Sequence, residues 1–436
     1  MKSLNQAGAS GVWNRESFAQ RRALAIQESS PLQADGEPAS SHIFHRIAAA
    51  FRFTIPCVAD ASLKDLALVF LKLGTIAFGG PAAHVAMMQR EAVEIRQWLT
   101  SEEFLGLIGA TNLIPGPNST ELAIFIGYRK GGWKGLIVAG ASFILPAFVI
   151  VAILGWVYVR FGALPEAGAF FHGVKPVIIA IVMHALVSLG RSALRSPFLA
   201  VVGLSAAVLS FAGMNELAIL FSAGIVAVII RWIHTRRPRL PLILGGTALF
   251  PAVAAASGET GGIPFGLWGL FLFFVKTGSV LFGSGYVLLA FLRADLVERW
   301  GWLTEQQLLD AVAVGQVTPG PVFTTATFIG YVLGGFSGAV VATLAIFLPA
   351  FVFVAISGLV LPRVRRSALA AGFLDGVTVA SLGLMAAVTA YLARAAWTDA
   401  FSALLTVVSF VLIARFRVNS FWIVAGGAIA GLLAGR

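Results

Sequence analysis

From Leu66 to its end the sequence is a succession of apolar runs, divided by short turns that carry most of its charge. Each run is about 20 residues long, the length at which a helix matches the hydrocarbon thickness of a bilayer. Such runs have few alternatives to the helix, because in lipid every backbone donor and acceptor must be satisfied within the protein. Hydrophobic side chains make up 58% of the 436 residues and charged ones only 12%, too apolar for a soluble chain that must still show water a charged exterior. The runs predict helices near 66–90, 103–128, 135–160, 168–190, 197–213, 215–232, 240–256, 266–291, 307–331, 335–361, 370–394, 400–414 and 419–435. The expected fold class is therefore an all-α polytopic integral membrane protein with about 13 transmembrane helices.

The formal charge of +11 raises the question of nucleic acid. The basic residues, however, cluster between apolar runs, as from Arg231 to Arg239 and from Arg363 to Arg366. Topogenic loops place them there, and no nucleic-acid partner is expected. A single cysteine, Cys57, rules out an internal disulfide or a cysteine metal cluster, and the six histidines show no metalloenzyme spacing. No metal, no cofactor and no catalytic residue is expected. Residues 1–60 are rich in Ser, Ala, Gln and charge, unlike a secretory signal, and read as a disordered cytoplasmic tail.

The chain repeats itself. At an offset of 204, Lys72, Gly74, Phe78, Gly79, Glu94, Trp98, Leu99 and Thr100 match Lys276, Gly278, Phe282, Gly283, Glu298, Trp302, Leu303 and Thr304. The register continues through Pro115-Gly116-Pro117 and Pro319-Gly320-Pro321. After the loss of one residue it resumes at Gly127-Tyr128 with Gly330-Tyr331, and at Pro146-Ala147-Phe148 with Pro349-Ala350-Phe351. Chance likeness between greasy helices yields scattered Leu and Val matches, not Trp, Pro, Lys and Gly in one register. The domains expected are two transporter repeats, 64–235 and 266–436, joined by a transmembrane connector at 240–256. Seven runs precede the second copy, an odd number, so the copies are expected in opposite orientations. Loop charge agrees: YRKGGWKG (128–135) is basic where YVLGGFSG (331–338) is not, and RVRR (363–366) is basic where FGALPEAG (161–168) is not. A cytoplasmic N-terminus is expected. The segment around Arg90 and Arg96, placed outside by this count, is the exception to the charge rule.

In inverted repeats, Gly/Pro-broken helices at matching positions point to the substrate site. The breaks here are Gly79-Gly80-Pro81 with Gly283-Ser284-Gly285, and the two Pro-Gly-Pro triplets. Proline removes a donor and clashes with the preceding turn; half-helices starting after each break aim free N–H groups and a positive dipole end at the centre, which suits an anion. Asn118, Ser119 and Thr120 follow one triplet, Thr324 and Thr325 the other, and Asn112 and Gln316 precede them by three residues. Lys72 and Lys276, equivalent and set in apolar sequence, either supply positive charge to the site or snorkel to an interface. Glu121, aligned with Thr325, reads as a coupling proton acceptor, a gate counter-charge or the buried partner of a cation. His84 and His184 read as packing residues. Arg90 with Glu91, and Arg293 with Asp295, read as helix-end ion pairs or vestibule residues.

Through FGGPAAHVAMMQRE (78–91), ATNLIPGPNSTELAIFIGY (110–128) and their counterparts FGSG (282–285) and VGQVTPGPVFTTATFIGY (314–331), the sequence resembles the long-chain, two-domain members of the chromate ion transporter family. The resemblance covers about residues 64–435; Ser284-Gly285 stands where the first copy has Gly80-Pro81, so the halves are not expected to contribute equally. It implies efflux of chromate, a sulfate-like competitor and a multi-pass protein of the bacterial inner membrane. The partners expected are thus the oxyanion, membrane lipid and a second copy in a homodimer. The residues alone leave open a sulfate carrier, a channel or a membrane-embedded enzyme, although no cluster of acid, base and nucleophile supports the last.

Overall fold

The computed structural model describes residues 61–78, 80–162, 164–236, 264–281, 287–366, 368–416 and 418–434. The tail, the connector at 240–256, and Gly79, Gly283, Ser284 and Gly285 lie outside the described residues. Among the described residues all regular structure is helical. The first half holds α1 (Leu63–Ile76), α2 (Gly80–Gln89) running into a π-helical turn (Arg90–Ile95), α3 (Ser101–Thr111), α4 (Asn118–Phe161), α5 (Pro165–Ala193), α6 (Pro197–Phe211) and α7 (Glu216–Arg236). The second repeats that order: α8 (Leu267–Val280), α9 (Leu288–Phe291) with its π-helical turn (Leu292–Arg299), α10 (Glu305–Val317), α11 (Thr325–Arg366), α12 (Ala368–Ala396), α13 (Ala400–Phe416) and α14 (Ser420–Ala434). Local signals repeat as well. Thr100 and Thr304 each close a capping box, with Glu103 and Gln307 returning the bond.

The runs at 66–90, 103–128, 266–291 and 307–331, expected as spans with Gly/Pro breaks, do not each run on in one direction. The described residues on the two sides of each break lie back along one another. Arg129 Nη2 meets Glu103 Oε1 at 2.5 Å, so the start of α3 lies beside residue 129, with Pro-Gly-Pro at the far tip. Lys72 Nζ meets Glu91 Oε1 at 2.5 Å, whereas nineteen residues of straight helix would part them by about 28 Å. In the second half Lys276 pairs with Asp295. Trp302 packs on Phe265 at 5.3 Å between ring centroids and lies against Gly269, back where α8 began. Hydropathy cannot separate a run that crosses from one that returns; the proline, which takes a donor out of the ladder, decides.

Helix α4 is itself two helices. At Gly132 (φ 58°, ψ −147°) the chain reverses, and residues 118–131 lie back along 133–161. Gly127 and Gly135 meet so closely that a Cβ on either would strike the other's carbonyl oxygen. The second half does the same at Gly335 (φ 61°), with Gly330 against Gly338. Without a hydrophobic drive between helices in lipid, close backbone approach through small residues holds such pairs.

The halves interlock reciprocally. The long arm of α4 runs antiparallel to that of α11: contacts pair Gly140 with Phe351 and Phe148 with Phe336, while Gly155 meets Tyr331 on the short arm before the Gly335 turn. Helix α5 packs on α13 and α14 of the other half, and α12 on α6 and α7. Gly173 meets Gly427 and Gly431, while Gly376 meets the equivalent Ala223 and Ala227. Among the described residues five helices, within α4, α5, α7, α11 and α12, are long and apolar enough to cross a membrane, and α6, α8, α13 and α14 are shorter apolar helices. This is the build of a multi-pass membrane protein.

Candidate functional site

The two Pro-Gly-Pro tips and the ends of α1 and α8 exchange hydrogen bonds across the halves. Gly116, in the first Pro-Gly-Pro, donates its N–H to the carbonyl of Leu281 at the end of α8 (2.7 Å). Gly320, in the second, donates to the carbonyl of Ala77 at the end of α1 (3.0 Å). The donors are equivalent, and so are the acceptors, so each half closes the other's broken helix. Both glycines are required. Gly116 has φ +140° and Gly320 φ +92°, in the range that favours glycine. A Cβ on Gly320 would lie 2.8 Å from Ala147 Cβ, and one on Gly116 would land on Glu121 Oε1. His84 donates from Nε2 to the Ala77 carbonyl at 3.1 Å and sets its ring edge-on to Phe143. It is a packing residue that also ties down the hub.

Helix α4 starts at this hub. Its N-cap is Pro117, and no side chain caps it; Thr120 and Glu121 donate their N–H groups to the Pro117 carbonyl (2.8 and 3.0 Å), which leaves those of Asn118 and Ser119 without a helical partner. The short 3₁₀ turn Val322–Thr324 that opens the second half's returning helix starts on Pro321 and is likewise uncapped by a side chain. Around these ends the copies differ. Thr120 and Glu121 are fully buried, and Thr120 Oγ1 and both Glu121 carboxylate oxygens have no hydrogen-bond partner among the described residues. Thr324 and Thr325 spend their hydroxyls on the carbonyls of Pro321 and Val322. Asn118 Nδ2 donates to Asn112 Oδ1 at 2.9 Å across the first triplet, whereas Val322 stands at the position of Asn118 and Phe323 at that of Ser119. A buried, unengaged hydroxyl is costly unless something else uses it, and the first copy holds it.

The structure brings together Pro115, Gly116, Pro117, Asn118, Ser119, Thr120 and Glu121 with Pro319, Gly320, Pro321, Thr324 and Thr325. Asn112 and Gln316 stand at the rim, and Gly80 and Pro81 start α2 beside the Ala77 carbonyl. The two lysines lie elsewhere. Lys72, its side chain 57% exposed, is paired with Glu91, and Lys276 with Asp295, so neither brings an unbalanced charge to the hub. The ion pairs expected from the sequence are also re-partnered. Glu91 takes Lys72 and Arg96 rather than Arg90; Asp295 takes Lys276 and Arg299; Arg293 takes Glu298 and Glu305. Doubling back is the cause, because it carries the π-helical turns alongside the lysines.

Sequence reading missed a third cation. Lys175, within the apolar α5, lies 2.9 Å from Asp310 Oδ1 and donates to Gln306 Oε1 at 2.6 Å, while the Tyr158 hydroxyl donates to Asp310 Oδ2 at 2.9 Å. Its signal was available, a lysine inside an apolar run. Its partner, however, sits far away in sequence on the face of a half-helix.

A family model described as chromate transporter matches residues 64–230 and again 268–432, one match per half. The chain is 35% identical over 381 residues to a chromate transport protein of Cupriavidus metallidurans, covering 86% of this chain and 93% of that one. It is also 35% identical to a probable chromate transport protein of Synechococcus elongatus (78% and 86% covered) and to a chromate transport protein of Pseudomonas aeruginosa (76% and 82%). No solved structure matches the chain.

Proposed function

The chain belongs to the chromate transporter family, and from that premise we propose that it is a secondary carrier that exports chromate from the cytoplasm of a bacterial cell. One observation carries this reading: each Pro-Gly-Pro turn that opens an uncapped helix start is hydrogen-bonded to the end of the other half's broken helix, Gly116 to Leu281 and Gly320 to Ala77. N–H groups and positive dipole ends converging on one buried point favour an anion. The oxyanion is held there by first-turn N–H groups, by the Thr120 hydroxyl and by Asn118, with the second copy closing the far side.

The antiparallel run of the two equivalent long arms supports inverted-topology repeats, with the first half's hairpins entering from the cytoplasm and the second's from outside. Arg129, Lys130 and Lys134 at the Gly132 turn, with Arg191, Arg195, Arg231 and Arg363 to Arg366, then face the cytoplasm. Doubling back also moves Arg90 and Arg96 to that side and removes the earlier exception to the charge rule. Arg293 and Arg299 move outside, each neutralised by carboxylates.

An inside-negative potential of 100 mV is worth about 2.3 kcal/mol per charge, so expelling a dianion gains about 4.6 kcal/mol. Glu121, buried against Gly116, is the coupling group: neutral when protonated, it leaves the helix start free for the dianion, and ionised it repels it. The test is uptake of radiolabelled chromate by everted vesicles, with sulfate as competitor, with and without an imposed potential. Saturable uptake that rises when the vesicle interior is positive is expected. Sulfate uptake with no chromate uptake would assign the hub to sulfate; flux that never saturates would make it a channel.

A further inference from the structure

On the side of the Gly335 turn, between the α6–α7 corner, the second π-helical turn and the end of α12, lies a polar cavity of about 170 Å³, away from the hub. Asn215, Glu216, Arg293, Glu298, Arg299 and Tyr391 line it. Its charges can be counted. Arg293 binds Glu298 (2.5 Å) and Glu305 (2.8 Å) and lies 3.7 Å over the Tyr391 ring; Arg299 binds Asp295 (2.5 Å), which also takes Lys276. Three cations (Lys276, Arg293, Arg299) thus face four carboxylates (Glu216, Asp295, Glu298, Glu305). Three of the carboxylates are in ion pairs; Glu216 is in none among the described residues, although Arg299, Asp295 and Glu298 lie close enough to act on it. The uncompensated charge is negative and faces a cavity. A net negative charge disfavours an oxyanion there and favours a cation.

We propose that Glu216 is a proton-binding site, accepting a proton from water on the Gly335 side and bringing the cluster from one net negative charge to neutrality. An O–H bond forms on one carboxylate oxygen, and nothing is oxidised or reduced. The first half has no counterpart: Gln89, Ile95 and Ser420 stand where Arg293, Arg299 and Glu216 would be matched. A contact path leads inward, from Arg299 and Asp295 to Lys276 on α8, along α8 to the Leu281 carbonyl, and across its hydrogen bond to Gly116, which abuts Glu121. The proposal rests on the carrier reading for its coupling role, but not for proton binding itself.

Two measurements separate these. In purified full-length protein, the infrared difference spectrum between acid and neutral buffer will show a protonated-carboxyl band that Glu216→Gln removes and Glu216→Asp shifts. A band unchanged in Glu216→Gln overturns the proposal, whatever the cargo; so does a band suppressed by sodium at constant pH, which would make sodium the ion. In vesicles, a one-unit pH step, worth about tenfold per proton, is expected to accelerate wild-type chromate flux and to leave Glu216→Gln at its rate without the step. Chromate exchange at equal pH persists in the variant and shows that it is folded. An equal response to the step in both proteins overturns the coupling role. Failure of wild-type vesicles to carry chromate at all would sink the carrier reading, while the infrared result stands by itself.

Discussion

The two hairpins that carry Pro-Gly-Pro share backbone, capping box and tip hydrogen bond, yet they are anchored differently. The first, α3 with residues 118–131, closes on itself through Arg129 and Glu103, and that carboxylate is 39% exposed. The second, α10 with the start of α11, is tied outward: Asp310 is held by Lys175 of α5 and by Tyr158 on the long arm of α4. The first half offers only Gly106, Thr378 and Leu361 at the matched positions. The tips differ in the same sense, the first presenting an unengaged Thr120 and Glu121, the second having turned its threonine hydroxyls back on the chain. Duplication thus fixed the geometry, and later divergence divided the labour. In the proposed reading, the second hairpin is the fixed wall of the hub and the first is the part that reads the ligand.

The largest effect that would break this comparison lies at the second anchor. Lys175→Met leaves Asp310 buried without its counter-ion, and stripping one partner from a buried pair costs about 3–5 kcal/mol. Denaturation of the purified protein should show that loss, and Lys175→Met with Asp310→Asn should recover much of it, because the orphaned charge is gone. A Lys175→Met protein as stable as wild type would mean that the second hairpin is not pinned.

An intermediate effect separates the tips. Thr324→Val removes a hydroxyl that bonds the Pro321 carbonyl, at a cost of about 0.5–1.5 kcal/mol of stability, with little change in chromate affinity. Thr120→Val removes a hydroxyl with nothing to lose in the protein. Its stability should hold or rise, while the dissociation constant of the oxyanion should weaken about tenfold, the equivalent of about 1.4 kcal/mol. Thermal unfolding and equilibrium binding on the two variants check this. The reverse pattern would exchange the roles assigned to the halves.

Much of this was legible in the sequence. The register of Lys72 with Lys276, the paired triplets and the match of Thr100 with Thr304 all reappear as equivalent structure. What was not legible is the doubling back. A run such as 103–128 has the composition of a spanning helix whether it crosses or returns at Pro115-Gly116-Pro117; only the Arg129–Glu103 contact separates the two. The same reversal hid the partners of Lys72 and Lys276, whose carboxylates lie on a turn that a straight helix would have carried away. The Gly116–Leu281 bond was invisible for another reason: it joins two backbones, and no side-chain pattern announces it.

The smallest expected effect is the most diagnostic for the first hairpin. Arg129 and Glu103 lie at its open end, where the exposed carboxylate keeps the pair in reach of solvent although the Arg129 side chain is only 12% exposed, and ion pairs that solvent reaches are typically worth about 0–1 kcal/mol. Arg129→Met should therefore leave global stability almost unchanged. If the first hairpin is the moving element, its internal tie matters instead to the balance between its open and closed positions. Even about 0.5 kcal/mol is roughly a twofold shift in such an equilibrium. The expected signature is a modest change in maximal chromate flux, reduced at high ionic strength in the wild type and insensitive to salt in the variant. The matched position in the second hairpin is Val332, with no charge to screen, so salt dependence that survives unchanged in Arg129→Met would have to arise from charges other than this pair, and the Arg129–Glu103 tie would lose its claim to set the balance.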